Sequence, residues 1–113
     1  MIYRDKAHLN FVRQQCCLVC DNDTQTEAAH LKFACAKLGK ALTGNQAKAD
    51  DYWTLPLCHF HHIEDQHRTS EHKFWASHGW DIYDVGVAAL RLFALSRTNN
   101  HQACAEFIRR ARR

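Results

Sequence analysis

Two short pairs of cysteine and histidine have the residue types and spacing of a metal site. The first pair is Cys17 and Cys20, separated by two residues, and the second is Cys58 and His61, on the same spacing. This spacing lets a tight turn aim both side chains at one ion, and zinc takes four nitrogen and sulfur ligands in a tetrahedron. The sequence therefore predicts a closed Cys3His zinc site. Such a site is structural rather than catalytic, and metal binding contributes to folding.

The other cysteines fit this pattern less well. Cys16 directly precedes Cys17 and is separated from Cys20 by three residues, a spacing that is less usual for a zinc knuckle. Cys35 and Cys104 have no partner at metal spacing, so we expect both to be small buried apolar residues. Unrelated buried thiols are the alternative interpretation of the two ligand pairs.

Three further histidines suggest a second, open metal site. His62 directly follows His61, His67 comes five residues after His62 on the same predicted helix, and His30 ends a predicted strand. Together they could hold a divalent ion or activate a water molecule. A hydrolytic site also needs a cation that contacts phosphate, and Lys32, two residues after His30 on the same strand face, is our candidate. For any one of these histidines, a surface or capping role is the alternative.

One small domain has to position these residues. The chain has 113 residues, and a domain of this size often needs a metal or a disulfide to stabilise it. Hydrophobic periodicity and capping residues predict helices over 5–15, 59–68 and 71–78, from 84 to about 96, and from about 100 onwards. Strands are predicted over 24–33 and 52–57, with Pro56 suited to an edge strand or a strand end, and a loop over 34–51.

The composition indicates a soluble, cytoplasmic protein. No signal peptide opens the chain, and the longest apolar stretch, 85–95, contains Arg91 and is too short to cross a bilayer, so we expect no membrane contact. In the cytoplasm, clustered cysteines are more often metal ligands than disulfides. The formal net charge is only +3. A basic C-terminal end nevertheless fits phosphate contact, with a solvated helix end as the alternative. Its arginines are Arg109, Arg110, Arg112 and Arg113.

The order of these motifs resembles the zinc-containing branch of the HNH endonucleases, which are also called ββα-metal or His-Me finger proteins. That branch has C-x2-C, a strand ending in histidine, a loop, and Leu-Cys-x2-Cys-His at the start of a helix. The matching segments here are Cys17-x2-Cys20, His30 and Leu57-Cys58-x2-His61-His62, with His61 in place of the second cysteine. The resemblance covers about residues 13–68. A further resemblance is to prophage HNH proteins, which are similar to a phage recombination-enhancement nuclease. It is based on the segments Glu-Ala-Ala-His-Leu-Lys and Pro-Leu-Cys-x2-His-His.

This resemblance implies an α+β fold with a small ββα-metal core, a structural zinc and additional flanking helices. Residues 1–113 would form a single domain, with the core at about 13–68 and a C-terminal helical extension over 70–113. The implied activity is metal-dependent hydrolysis of DNA phosphodiester bonds. His30 would be the general base or a third ligand, and His62 and His67 would bind a catalytic ion, Mg²⁺, Mn²⁺, Zn²⁺ or Ni²⁺.

Three positions depart from the family pattern. Ala29 stands where the family usually has a ligating Asp or His, and His67 comes five rather than four residues after His62. The middle Asn of the motif, which orients the base, would fall near Trp53, with Asp50 or Asp51 as its substitute. These departures allow either a rearranged site or weakened catalysis.

Two other functions are open on the sequence alone. One is a non-catalytic, zinc-stabilised module that binds nucleic acid through the basic C-terminal end and through Lys32, Lys37 and Lys40. The other is a protein-interaction domain with a structural zinc. Its partner surface would be aromatic, although we expect most of these rings to lie in the core. The rings are Trp53, Phe74, Trp75 and Trp80.

Overall fold

The fold is an antiparallel β-hairpin surrounded by helices. The computed structural model describes residues 2–44, 47–64 and 70–113. In chain order the elements are α1 (Lys6–Arg13), β1 (Thr26–His30), a 3-10 turn (Ala36–Leu38), β2 (Thr54–Cys58), α2 (His59–Ile63), α3 (Glu71–Ser77), α4 (Ile82–Ser96) and α5 (His101–Ala111). The described residues therefore form the α+β fold that the sequence predicted.

The hairpin pairs two strands of five residues each. Thr26 lies opposite Cys58 at one end, and His30 lies opposite Thr54 at the other. Every residue of β2 is buried, which explains its nearly continuous apolar sequence. Pro56 lies in the middle of β2 rather than at its end, and β2 is an edge strand of this two-stranded sheet, as one of the two predicted alternatives has it. Proline has no N–H to donate, but its carbonyl oxygen still accepts a hydrogen bond from the backbone N–H of Leu18, at 2.9 Å. The strand therefore tolerates Pro56.

Side-chain caps define where the helices begin. Asp5, Ser70, Asp81 and Asn100 each accept a backbone N–H three residues further along the chain. The Asp81 cap explains why α4 starts at Ile82, two residues before the predicted start. α3 is followed by Gly79, whose φ of 82° favours glycine, as expected for a helix stop. Within the described residues, no helix combines the length and the apolar character needed to cross a membrane.

The core lies between the hairpin, α1, α4 and the later helices. The hydrophobic periodicity that predicts α4 corresponds to an apolar stripe that is buried at Val85, Ala88, Ala89 and Leu92 and partly buried at Leu95. Cys35 and Cys104 are buried, as predicted. The four aromatic residues considered for a partner surface also lie in the core, so they form no exposed patch: Trp53, Phe74, Trp75 and Trp80.

His8 is a polar residue in this core, and only 1% of it is exposed. Its Nδ1 lies 2.8 Å from Oγ of Ser96, and its Nε2 lies 3.2 Å from Oγ1 of Thr54. Burial lowers the pKa of His8 to about 4, although the nearby carboxylates of Asp5 and Asp51 oppose this effect. The folded protein therefore holds this ring in its neutral form.

We expect acid to destabilise the protein through His8. The ordinary histidine pKa of 6.5 applies to the unfolded chain, and the folded value is about 4. At pH values between the two, the unfolded chain binds a proton that the folded chain excludes. The contribution of His8 to stability is thus complete above the unfolded pKa and falls, by up to about 3 kcal/mol, as the pH drops towards the folded pKa. Urea unfolding at about pH 7 and about pH 5 should show a larger loss for wild type than for His8→Gln. The comparison cancels acid effects at other sites, and equal losses would contradict the prediction.

Candidate metal centre and neighbouring histidines

The two predicted ligand pairs meet in space. Sγ of Cys20 lies 3.7 Å from Sγ of Cys58, and Nδ1 of His61 lies 3.2 Å from Sγ of Cys58 and 3.8 Å from Sγ of Cys17. The four ligand atoms all lie within 4.8 Å of one another. A tetrahedral zinc ion with Zn–S bonds of about 2.3 Å would separate two sulfurs by about 3.8 Å. The group could therefore hold one metal ion and is compatible with structural zinc.

One backbone bond and one helical turn bring the two pairs together. Residues 17–20, which we call the knuckle, lie just after α1. The bond from the Leu18 N–H to the Pro56 carbonyl attaches the knuckle to β2. Cys58 is the last residue of β2 and directly precedes α2, so His61 lies about one helical turn further on. An ion at this point would join the knuckle, the hairpin and the start of α2.

Arg112 contacts the knuckle from the other end of the chain. Its Nη2 donates to the carbonyl oxygen of Cys17 at 2.8 Å, and its Nε donates to that of Leu18 at 3.2 Å. The sequence suggests a phosphate-binding role for Arg112, whereas in the structure its guanidinium group bonds backbone carbonyls of the same protein. Arg109 and Arg110 are exposed. No local pattern signals the role of Arg112, because its partners are 94 and 95 residues away.

His62 is held by a carboxylate of β1. Its Nδ1 lies 2.6 Å from Oε1 of Glu27, and Oε2 of the same carboxylate lies 2.9 Å from Nδ1 of His59. Although partial burial would raise it, these two hydrogen bonds lower the pKa of Glu27. Nε2 of His62 is buried and has no hydrogen-bond partner within the described part of the chain. Metal-binding histidines commonly bond a carboxylate through their other nitrogen. Sequence reasoning missed Glu27, whose only signal was its position three residues before His30.

His30 is buried at the end of β1. Its Nε2 lies 2.9 Å from Oδ1 of Asp51, one of the two aspartates considered as a substitute for the motif Asn. Asp51 also accepts a bond from Nη1 of Arg4 at 2.8 Å and one from the backbone N–H of Asp5 at 2.6 Å. Burial lowers the pKa of His30, although Asp51 opposes this effect. At neutral pH the ring is therefore mainly neutral, the form that can accept a proton.

The described structure does not gather all the predicted catalytic histidines into one cluster. Glu27, which holds His62, and His30 are three residues apart on β1, so their side chains point to opposite faces of the strand. Neither His30 nor His62 belongs to a group of three or more metal-ligand side chains among the described residues. His67 lies outside the described residues.

Two lysines differ from the sequence-based expectation. β1 ends at His30, so Lys32 lies beyond the strand and does not share a strand face with His30. The backbone N–H of Lys32 donates to Oε2 of Glu71 at 2.8 Å. Lys40 is only 4% exposed, and its Nζ donates to the carbonyl oxygen of Phe33 at 2.6 Å. The assignment of Lys40 to phosphate contact is therefore wrong, because its charge is satisfied inside the protein.

Comparison with known families assigns the chain to one of them. A family model with the description "Protein of unknown function (DUF968)" matches residues 1–91. The chain belongs to the DUF968 family. The match includes the hairpin and all four ligands of the Cys3His group, whereas α5 lies beyond it. No curated protein and no solved structure matches the chain.

We expect this DUF968 chain to bind zinc through Cys20 and not through Cys16. Cys20→Ser should lose the zinc and several kcal/mol of unfolding free energy, because binding of a structural zinc supplies about 10 kcal/mol or more towards folding. Cys16→Ser is the matched control, since this half-buried neighbour lies outside the ligand group. Elemental mass spectrometry and thermal unfolding would measure both effects. A zinc content of Cys20→Ser equal to that of wild type, or a lower zinc content of Cys16→Ser, would contradict the ligand assignment.

Proposed function

We propose that this protein is a metal-dependent endonuclease of the HNH, or ββα-metal, type that hydrolyses DNA phosphodiester bonds in the cytoplasm and derives from a prophage. The observation that carries the proposal is the pair formed by Asp51 and His30. An aspartate from the loop between β1 and β2 lies 2.9 Å from a buried histidine whose pKa is lowered. The chain order of hairpin, zinc ligands and helix supports the same arrangement.

His30 is suited to act as a general base. A neutral imidazole can take a proton from the water that attacks the phosphate. The contact with Asp51 fixes one ring nitrogen and would stabilise the imidazolium that forms. Asp51 is in turn held by Arg4 and by the backbone of Asp5, so the direction of the base is set before substrate binds.

His62 is suited to hold the catalytic ion expected from the sequence, Mg²⁺, Mn²⁺, Zn²⁺ or Ni²⁺. The bond to Glu27 fixes its Nδ1, and its buried Nε2 has no hydrogen-bond partner among the described residues. A bound divalent ion would neutralise the charge that builds up on the phosphate during attack. His67 remains a proposed second ligand outside the described residues. Glu27 would act as a positioning residue.

A non-catalytic, zinc-stabilised module that binds nucleic acid is the second candidate. Ala29, at the position where the HNH family has a ligand, is fully buried and offers no ligand atom. Glu27 and His30 also point to opposite faces of β1, which separates the two parts of the proposed site. In this alternative the zinc only stabilises the fold, and the exposed Arg109 and Arg110 contact phosphate.

We expect purified protein to cut supercoiled plasmid DNA when a suitable divalent ion is added. His30→Gln keeps a group that can hydrogen-bond Asp51 but cannot act as a base, so cleavage should slow by about 10²- to 10⁴-fold. His62→Ala should also abolish cleavage while DNA binding remains. His59→Ala is the matched control, because His59 contacts the same carboxylate but is largely exposed. Gel analysis of the plasmid would measure the rates, and circular dichroism would verify the folding of each variant.

The outcomes separate the two candidates. Cleavage by His30→Gln at the wild-type rate would exclude His30 as the base. If wild type cuts with none of the ions but its DNA affinity falls steeply with salt, the binding module is favoured. In that case Arg109→Ala and Arg110→Ala should each reduce the slope of log K against log salt by about one unit. Absence of both cleavage and DNA binding at low salt would exclude both candidates.

A further inference from the structure

A second group of ligand-type side chains adjoins the Cys3His group. His61, Glu64 and His78 each offer one ligand atom, and these three atoms lie within 4.8 Å of one another. All three residues are partly buried, so the group is neither sealed in the core nor fully solvated. We propose that they form a second zinc site, in which His61 bridges the two ions. This proposal depends on the Cys3His centre but not on nuclease activity.

Two helices build this second group. His61 and Glu64 are three residues apart at the end of α2, so they lie on the same side of the helix. His78 follows α3 directly as its C-terminal cap. The ring centroids of His61 and His78 are 5.3 Å apart, and the two rings are nearly perpendicular, at 89°. α3 therefore supplies a ligand that the knuckle and hairpin lack.

The distances resemble those between ligands of a common ion. Nε2 of His78 lies 3.5 Å from Oε1 of Glu64, which is long for a hydrogen bond between ionisable groups. Two ligands at about 2.0–2.1 Å from a tetrahedral zinc lie about 3.3–3.4 Å apart. A zinc ion placed between Glu64 and His78 thus requires little movement of either side chain.

The donor set defines the kind of site. Two imidazole nitrogens and one carboxylate oxygen are the protein ligands of open zinc sites, in which water or substrate takes the fourth position. His61 faces the thiols through Nδ1, so Nε2 is the ring atom that remains for the second ion. A bridge through both ring nitrogens would require the remaining N–H proton of His61 to pass to solvent. The resulting negative charge would reduce the repulsion between two bound cations.

A simpler role for Glu64 and His78 predicts a different number of ions. Both residues could merely orient a zinc-bound His61 by accepting its outer N–H, as carboxylates often do beside metal ligands. In that case the Cys3His centre would bind its single ion and the neighbouring residues would bind none. Metal stoichiometry therefore separates the two roles.

The experiment counts ions in a protein that lacks the proposed catalytic ligand. Full-length His62→Ala is equilibrated with excess zinc, and bound metal is measured by dialysis and elemental mass spectrometry. We expect two zinc ions per chain, and one when Glu64→Gln or His78→Gln is added. His72→Gln is the matched control, because His72 is an exposed histidine of α3 outside the group, and this variant should retain two ions.

Cobalt provides a second readout. Cobalt bound by thiolates gives an intense charge-transfer absorption, so the first equivalent should produce this signal and the second should add only weak visible bands. In the same His62→Ala protein, adding Glu64→Gln or His78→Gln should weaken binding of the second equivalent of cobalt by at least about tenfold. A single ion per chain at saturating zinc, or a second ion bound equally well by both variants, would overturn the proposal.

Discussion

Four ligand atoms from the knuckle, the end of β2 and the start of α2 lie within 4.8 Å of one another, and a metal ion bound at this point would constrain the arrangement of the hairpin. A two-stranded hairpin is marginally stable at best in water, and here each strand has only five residues. An ion that joined Cys17 and Cys20 to Cys58 and His61 would fix the segment after α1 against β2 and set the direction in which α2 leaves the sheet. The bonds from Arg112 to the knuckle carbonyls extend this constraint to the end of α5.

The opposite end of the hairpin is organised by a carboxylate. Asp51 accepts bonds from His30, Arg4 and the backbone of Asp5, and only 3% of its side chain is exposed. The pairing register separates the two anchors, since Cys58 lies opposite Thr26 and His30 lies at the far end of the ladder. Burial raises the pKa of the Asp51 carboxyl, but the hydrogen bonds from its three partners outweigh this effect and lower the pKa below its usual range. The Cys3His group and the proposed proton transfer therefore lie at different ends of the same two strands.

The sequence predicts those features that depend on neighbouring residues. The spacing of Cys17 and Cys20 and the hydrophobic periodicity of α4 are local patterns with local causes. The failures involve contacts between distant residues. Lys40 looks like a surface charge in a loop sequence, but its ammonium group lies over the rings of Phe33 and Trp53 and donates to the carbonyl oxygen of Phe33. The role of Glu27 likewise depends on a helix that begins 32 residues later.

The adjacent residues His61 and His62 show how a structural metal could influence chemistry in which it takes no part. Successive side chains on a helix differ in direction by about 100°. His61 accordingly faces the thiols of Cys17 and Cys58, while His62 faces the carboxylate of Glu27 on β1. An ion that fixes His61 therefore also fixes the rotation of α2, and with it the direction of His62. Loss of such an ion would displace the proposed catalytic ligand even if every residue of the proposed catalytic site were unchanged.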